Sequence, residues 1–234
     1  MKKIIPMILL LGVQSACGMD NAQNNDASLL HYASCGDHDG VERALANGAN
    51  VNAAGEYGKT ALMSDLPCHD FDGEYVDTKL VKRLIGAKAD VNAVDSVFGS
   101  ALLYASYECS VEAIKLLLEA GAEVDCRNSL GDTALIRVVH GIGHLSCLRR
   151  HSGQELAIME TKALKLLLEA KADVNAKCLG GHTALSLAVC NTRPTAEALL
   201  KSWGALVEMP VEAKTLDSTD DCNATDILNK VRGE

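Results

Sequence analysis

Beyond about residue 25, the apolar and polar positions of the chain follow a repeating pattern that predicts pairs of short helices. Apolar residues recur at intervals of three and four, which places them on one side of a helix. A Thr/Ser-Ala-Leu segment precedes most first helices, and a Gly-Ala-x-Val-Asn segment or a variant of it follows each second helix. The valines of the closing segments lie at 51, 91, 124, 174 and 207, at intervals of 40, 33, 50 and 33 residues. The pattern therefore predicts five helix–turn–helix units.

Residues at the ends of the predicted helices fit this interpretation. The Thr or Ser before a first helix can accept a backbone N–H and cap that helix. Gly48, Gly121 and Gly204 follow second helices, where a glycine readily adopts the left-handed conformation of a C-terminal cap. Lys88 and Lys171 stand at the same position in the other two units, so we expect weaker caps there.

A unit of 33 residues that reads Thr-Ala-Leu, helix, turn, helix, Gly-Ala-x-Val-Asn resembles the ankyrin repeat. The resemblance implies an all-α ankyrin-repeat solenoid of about five helix–turn–helix repeats, with β-hairpin-like turns between them. The repeats are expected at residues 26–54, 55–94, 95–127, 128–177 and 178–208. A flexible linker is expected at 17–25 before them. An acidic tail is expected at 209–234 after them, with a C-terminal helix that caps the last repeat.

Repeats two and four are longer than this template. From the Thr or Ser to the Ala of the closing segment there are 22 residues in repeats three and five, 29 in repeat two and 39 in repeat four. Inserts of about 7 and 17 residues are therefore expected between the two helices of these repeats. Pro67 should end the first helix of repeat two early. Such inserts often serve in recognition, but a tolerated loop fits the same sequence.

The first residues have the order that is typical of a secretory signal peptide. Lys2 and Lys3 precede an apolar run at 4–13, and small residues follow it. We therefore expect residues 1–16 to be a signal peptide and the chain to be exported.

The end of this segment resembles a bacterial lipobox. Ser15 and Ala16 fit the two positions before Cys17, which would be lipidated, whereas Gln14 stands where an apolar residue is usual. Ordinary cleavage nearby also fits the sequence. Lipidation would anchor the chain to a membrane. The expected location is the periplasm, with a lipid anchor.

Composition narrows the class of partner. The 234 residues include 31 acidic and 22 basic ones, for a net charge of −9, which argues against nucleic acid as a partner. An acidic surface would suit a basic protein partner. Only 3% of the residues are aromatic, which suits stacked small helices.

Nine cysteines are present, and without Cys17 an even set of eight remains. An even set in an exported chain indicates disulfide bonds, although eight thiols allow 105 connectivities. Eight small buried thiols in a reducing compartment are the alternative. By position in the repeats we favour Cys35–Cys68, Cys109–Cys147 and Cys190–Cys222, with Cys126–Cys178 by elimination.

Candidate chemical sites are few. His140, His144, Cys147 and His151 could ligate zinc from one helical face, but Gly141 and Gly143 argue against a stable helix there. A disulfide-linked loop is the favoured interpretation. No nucleophile–base pair, phosphate-binding loop or carboxylate pair occurs in a recognisable context, so we expect neither catalysis nor a cofactor.

The ankyrin resemblance implies a protein-binding scaffold whose partner contacts the turn tips and the exposed side of the first helices. By motif position the contact residues are Glu56, Tyr57, Lys59, Ser96, Val97, Tyr107, Glu108, Ser129, Leu130, Asp132, Leu179 and His182. Two alternatives remain. One is a secreted effector that binds a protein of another cell, and the other is a metal- or redox-linked envelope protein that uses the His/Cys-rich insert.

Overall fold

The helices of the chain come in antiparallel pairs. A computed structural model describes residues 20–64, 66, 78–147 and 152–206, with the backbone course alone for 20–23 and 142–147. Its helices are α1 (Asp20–Ser34), α2 (His38–Ala46), α3 (Ala61–Ser64), α4 (Thr78–Gly86), α5 (Ala101–Tyr107), α6 (Val111–Glu119), α7 (Ala134–Cys147), α8 (Gly153–Glu169), α9 (Ala184–Cys190) and α10 (Pro194–Ser202).

The pairs stack into a solenoid, which confirms the predicted all-α architecture. The first helices α1, α3, α5, α7 and α9 pack in that order along one layer, and α4, α6, α8 and α10 pack along the other. Buried Leu, Ala, Val and Ile side chains of both layers form one continuous core. Within the described ranges there is no extended strand, only the antiparallel bridges Ala54–Thr60 and Val94–Ser100 at two of the turns between repeats.

A ladder of side-chain hydrogen bonds joins each closing turn to the next. The Oδ1 atoms of Asn52 and Asn92 accept from the backbone N–H groups of Asp90 and Glu123, at 2.7 and 2.8 Å. The same bond recurs from Asp173 N to Asp125 Oδ1 at 3.0 Å and from Leu206 N to Asn175 Oδ1 at 2.8 Å. The local turn bonds expected from these residue types also form, as from Asn92 N to Asp90 Oδ1 at 2.9 Å. The final Asn or Asp of each unit therefore fixes the stacking register.

The C-terminal caps of the second helices are left-handed at glycine and at lysine positions alike. Gly48, Gly121 and Gly204 have φ values of 85°, 89° and 86° after their helices, as expected. Lys88 and Lys171 adopt the same left-handed conformation at 69° and 68°, where a side chain costs more than glycine does.

The Thr or Ser before each first helix can cap that helix, but not all of them do so. Thr183 accepts from Ser186 N at 3.1 Å and so caps α9. Ser100 makes no such bond to α5, and the hydroxyls of Thr60 and Thr133 have no hydrogen-bond partner among the described residues.

The first helix begins earlier than the predicted repeat boundary. α1 starts at Asp20, inside the segment expected to be a linker, which contains no Pro or Gly at 20–25. Asn25 at the end of this segment and the adjacent Asp26 bond to the end of repeat one: Asn25 Nδ2 donates to Asn47 O at 2.8 Å, and Asp26 Oδ1 accepts from Asn50 N at 2.6 Å. These bonds tie α1 to the following turn.

The insert of repeat four is used mainly to lengthen both helices. α7 has 14 residues and α8 has 17, whereas α5 and α9 have 7 each and α6 and α10 have 9 each. The expectation that Gly141 and Gly143 oppose a helix is wrong. A Cβ atom at Gly141 would lie 1.6 Å from Tyr107 O, so this glycine lets α7 pack directly on the end of α5. In repeat two, α3 ends at Ser64, close to the predicted early stop.

Several predicted segments lie outside the described residues: the signal peptide at 1–16, the lipidation site Cys17, and the tail at 209–234. The insert residues at 67–77 and His151 also lie outside them. No helix in the described ranges has the length and hydropathy needed to span a membrane.

Candidate functional site: the hairpin tips

Four tight turns project from the N-terminal ends of the first helices. We define the tip face as residues 54–60, 94–100, 127–133 and 177–183. Each turn is closed by one backbone bond between its second and sixth positions, as from Gly55 N to Lys59 O at 2.8 Å and from Cys178 N to His182 O at 3.0 Å. The turns therefore share the same closing bond although their sequences differ.

Neighbouring tips bond to one another. Ser96 donates to Tyr57 O through its backbone N at 2.9 Å and through its Oγ at 3.1 Å. Leu179 N donates to Leu130 O at 2.9 Å. Because Tyr57 has a φ of 60°, an uncommon value for a bulky residue, the bonds from Ser96 help to hold it in place.

Two polar side chains organise the central tips from within. Asp95 Oδ1 accepts from the backbone N–H groups of residues 97, 98 and 99 at 3.0, 2.8 and 2.7 Å. Tyr104 Oη donates to the other oxygen of Asp95. Asn128 Oδ1 accepts from Leu130 N at 3.0 Å and Asp132 N at 2.8 Å. These turns are therefore preformed.

Apolar side chains stand out from the tips. The exposed fractions are 50% for Tyr57, 58% for Val94 and 80% for Leu179, and Leu130 between them is half-buried. Exposed apolar side chains on a rigid frame are typical of a protein-binding surface.

A buried charged cluster lies beneath the third tip. Asp132 Oδ2 is 3.9 Å from Arg137 Nη1 and 3.7 Å from His140 Nδ1, and only 2% of the Asp132 side chain is exposed. Burial by itself would raise the pKa of Asp132, but His140 and Arg137 outweigh it and hold that pKa below its usual value. The Arg137 guanidinium also lies 4.8 Å from the ring centroid of Phe98 and 4.2 Å from that of Tyr107. The cluster joins the third tip to α5 and α7.

Comparison with known proteins agrees with this geometry. A sequence model of the single ankyrin repeat matches residues 25–56, and a model of multiple ankyrin repeats matches residues 102–150. The chain contains ankyrin repeats. Similar proteins include ankyrin repeat domain-containing protein SAT10 of Stachybotrys chartarum, 36% identical over 101 residues, and the ankyrin repeat protein YahD of Escherichia coli, 28% identical over 128 residues. These matches cover 42% and 54% of this chain, but only 5% and 59% of the two relatives, less than two thirds of either.

The predicted contact residues of this ankyrin-repeat chain lie on or near the tip face but differ in exposure. Glu56, Tyr57, Ser96, Ser129 and Leu179 are exposed. Half-buried positions are Lys59, Val97, Tyr107, Glu108, Leu130 and His182. Asp132 is buried in the cluster just described, so the expectation that it contacts a partner is not met.

Sequence reasoning missed the exposed first residue of each tip: Ala54, Val94, Arg127 and Lys177. Val94 and Arg127 each directly precede the Asp or Asn at the second position of their turn. Arg127 Nη1 donates to Gly131 O at 3.0 Å and to Lys177 O at 2.6 Å. The position of Val94 and Arg127 before this Asp or Asn could have identified both.

The predicted metal ligands are only partly visible. His140 pairs with Asp132. The structure does not describe the side chains of His144 and Cys147, and His151 lies outside the described residues. Among the described side chains, no three His, Cys, Asp or Glu residues form a group that could hold a metal ion.

Five of the predicted disulfide cysteines are described, and all five are free thiols: Cys35, Cys109, Cys126, Cys178 and Cys190. The predicted Cys126–Cys178 pair is therefore wrong, because both of its cysteines are described and neither is bonded. Cys68 and Cys222 lie outside the described residues. Cys109 is buried, and its Sγ donates to Val138 O at 3.6 Å. Burial, with Glu160 nearby, raises the pKa of the Cys109 thiol well above its usual value, which disfavours the reactive thiolate.

One buried acid was not predicted. Glu160 of α8 aligns with Ser110 and Arg193, the residues that precede α6 and α10, but the lengthened α8 places it inside a helix. Its side chain is fully buried, and neither carboxylate oxygen has a hydrogen-bond partner among the described residues. Burial raises the pKa of Glu160 to about 7, although Arg193 opposes the rise.

Proposed function

We propose that this protein is a non-catalytic protein-binding scaffold of the bacterial cell envelope. The observation that carries the proposal is the tip face: four turns with the same closing bond, joined in two neighbouring pairs, with exposed Tyr57, Val94 and Leu179. Rigid apolar residues can bind a partner without a large cost of ordering. Ankyrin repeats in general mediate contacts between proteins, which supports the same class of function.

Loss of binding on truncation of the tips tests the proposal. We would immobilise the mature chain and compare it with the double variant Tyr57→Ala/Leu179→Ala in pull-downs from solubilised envelope. The matched control is Ile158→Ala/Trp203→Ala, which removes side chains that are 47% and 45% exposed elsewhere on the solenoid. A stoichiometric partner should be retained by wild type and control and lost by the tip variant. Retention by the tip variant would show that another surface binds.

The envelope location is proposed from the first residues of the sequence. Lys2, Lys3 and the apolar run at 4–13 support export, and the residues before Cys17 support lipidation. We expect the full chain to incorporate labelled palmitate and to fractionate with membranes, and Cys17→Ser to abolish both. Label that survives Cys17→Ser would contradict lipidation and leave export as a separate question.

Disulfide bonds follow from the proposed export. Cys35 and Cys190 are exposed at the ends of α1 and α9, which leaves their thiols accessible to Cys68 and Cys222. Thiol titration of the denatured mature chain should find four fewer free thiols before reduction than after it, because these two pairs would be bonded. Full reactivity of all eight thiols other than Cys17 would contradict this part of the proposal.

A further inference from the structure

We infer that the partner segment bound by the tip face carries carboxylate groups beside apolar side chains. The inference rests on the proposed function, since it names the chemistry of the partner at the same surface. It is opposite to the expectation from the net charge of −9, which favours a basic partner.

The acids of the tip face are directed inward, with one exception. Asp95 accepts three backbone N–H bonds and one from Tyr104, which leaves little capacity for a partner. Asp132 is buried beside Arg137 and His140. Glu56 is the exposed acid of the tip face.

Two cations of the tip face are exposed and a third, Lys59, is half-buried. Arg127 is exposed and donates to two backbone carbonyls, so its position is fixed while its charge is not compensated by those bonds. Lys59 Nζ lies 5.1 Å from the ring centroid of Tyr104, an interaction that orients the ammonium and retains its charge. Lys177 is also exposed. The accessible charge of the tip face is therefore positive, although that of the chain is negative.

Apolar side chains accompany these cations. Tyr57 and Leu179 extend from the second and fifth repeats, and Val94 is exposed between the second and third. Such residues bind apolar groups of a protein, whereas a nucleic acid would be bound mainly by a larger number of phosphate contacts. A protein segment with carboxylates fits both features.

Selection from a phage-displayed random-peptide library tests the inference. Wild-type mature chain should enrich peptides that combine Asp or Glu with apolar residues. Lys59→Glu should weaken the affinity for the best of these peptides by about tenfold, and more so together with Arg127→Gln. The matched control Lys162→Glu/Lys165→Glu reverses two exposed charges of α8 and should leave the affinity within about twofold. The single variant Lys59→Glu preserves the test if loss of the Arg127 bonds destabilises the double variant.

Other outcomes would overturn the inference. Enrichment of basic peptides that Tyr57→Ala then fails to bind would leave the scaffold function standing and contradict the acidic partner. Failure to enrich any class of peptide, an equal effect of the control variant, or tighter binding of a single-stranded oligonucleotide would also count against it.

Discussion

Replacement of Glu160 by glutamine should make this protein more stable above neutral pH. The Glu160 carboxyl is fully buried, and its oxygens lack hydrogen-bond partners in the described part of the chain. Ionisation of such a group is costly because it loses its hydration. A glutamine side chain has nearly the same shape and does not ionise, so the variant isolates this cost.

The size and sign of the effect follow from the pKa. Burial raises the pKa of Glu160 from 4.5 to about 7 in the folded chain. Below about pH 4.5 both states bind the proton, so ionisation has no effect on stability. As the pH rises toward 7, the unfolded chain releases the proton while the folded chain keeps it, and the free energy of unfolding decreases. Above the folded pKa the decrease is complete, at about 3 kcal/mol.

The assay is denaturant unfolding of the mature chain, monitored by circular dichroism at several pH values. Glu160→Gln should be close to wild type at about pH 5 and more stable by up to about 3 kcal/mol at about pH 8. Glu169→Gln, on the exposed side of the same helix, is the matched control and should change little at either pH. Arg193→Gln should lower stability at the higher pH, because it removes the cation that opposes the rise in pKa. If Glu160→Gln keeps the pH dependence of wild type, Glu160 does not carry a buried charge.

Three further changes test the packing, the capping and the ladder by the same unfolding measurement. Gly141→Ala should destabilise the chain by several kcal/mol, because the added Cβ would overlap Tyr107 O. Gly86→Ala is the control: it has open space around it and should be neutral or stabilising by up to about 1 kcal/mol. Equal effects of the two variants would refute the close contact. Thr183→Val should lower the free energy of unfolding by about 1 kcal/mol, because it removes the cap on α9. The Thr133 hydroxyl has no hydrogen-bond partner in the described chain, so Thr133→Val should be neutral or stabilising. A larger loss of stability for Thr133→Val than for Thr183→Val would contradict this assignment. Asn92→Ala should cost about 1–2 kcal/mol, because Asn92 accepts from one backbone group of the next turn and donates to another; an unchanged midpoint would show that the ladder does not stabilise the stack.

The repeat pattern of the sequence was sufficient to predict the helix pairs and the turns between them. Each unit carries the same local signals, so the Thr-Ala-Leu segments mark where the first helices of repeats two to five begin, and the Gly-Ala-x-Val-Asn segments lie just after the second helices. The ladder between repeats was not predicted, because the residue that Asn92 contacts is 31 positions away in the sequence. Nothing in the spacing alone brings these two residues together.

Repeat four shows where local rules fail. Glycine lowers helix stability on its own, so Gly141 and Gly143 argued for a loop. The packing of α7 on α5 outweighs that cost, since a residue without a Cβ is needed at the contact with Tyr107. Glu160 gave a usable signal, because it falls four residues after the buried Leu156, on the apolar side of α8. Its exceptional environment depends on the lengthened helices, which the sequence did not reveal.

The extra length of α7 and α8 gives the molecule two functionally distinct edges. Both α5 and α7 begin directly after a hairpin tip, but α7 is about 21 Å long and α5 about 10 Å. The added turns of α7 therefore project from the edge opposite the tip face. A tether, fluorophore or fusion partner attached at that overhang would be separated from every tip by the full depth of the stack. The overhang is therefore the suitable point for immobilising the protein in binding measurements without obstructing the surface under study.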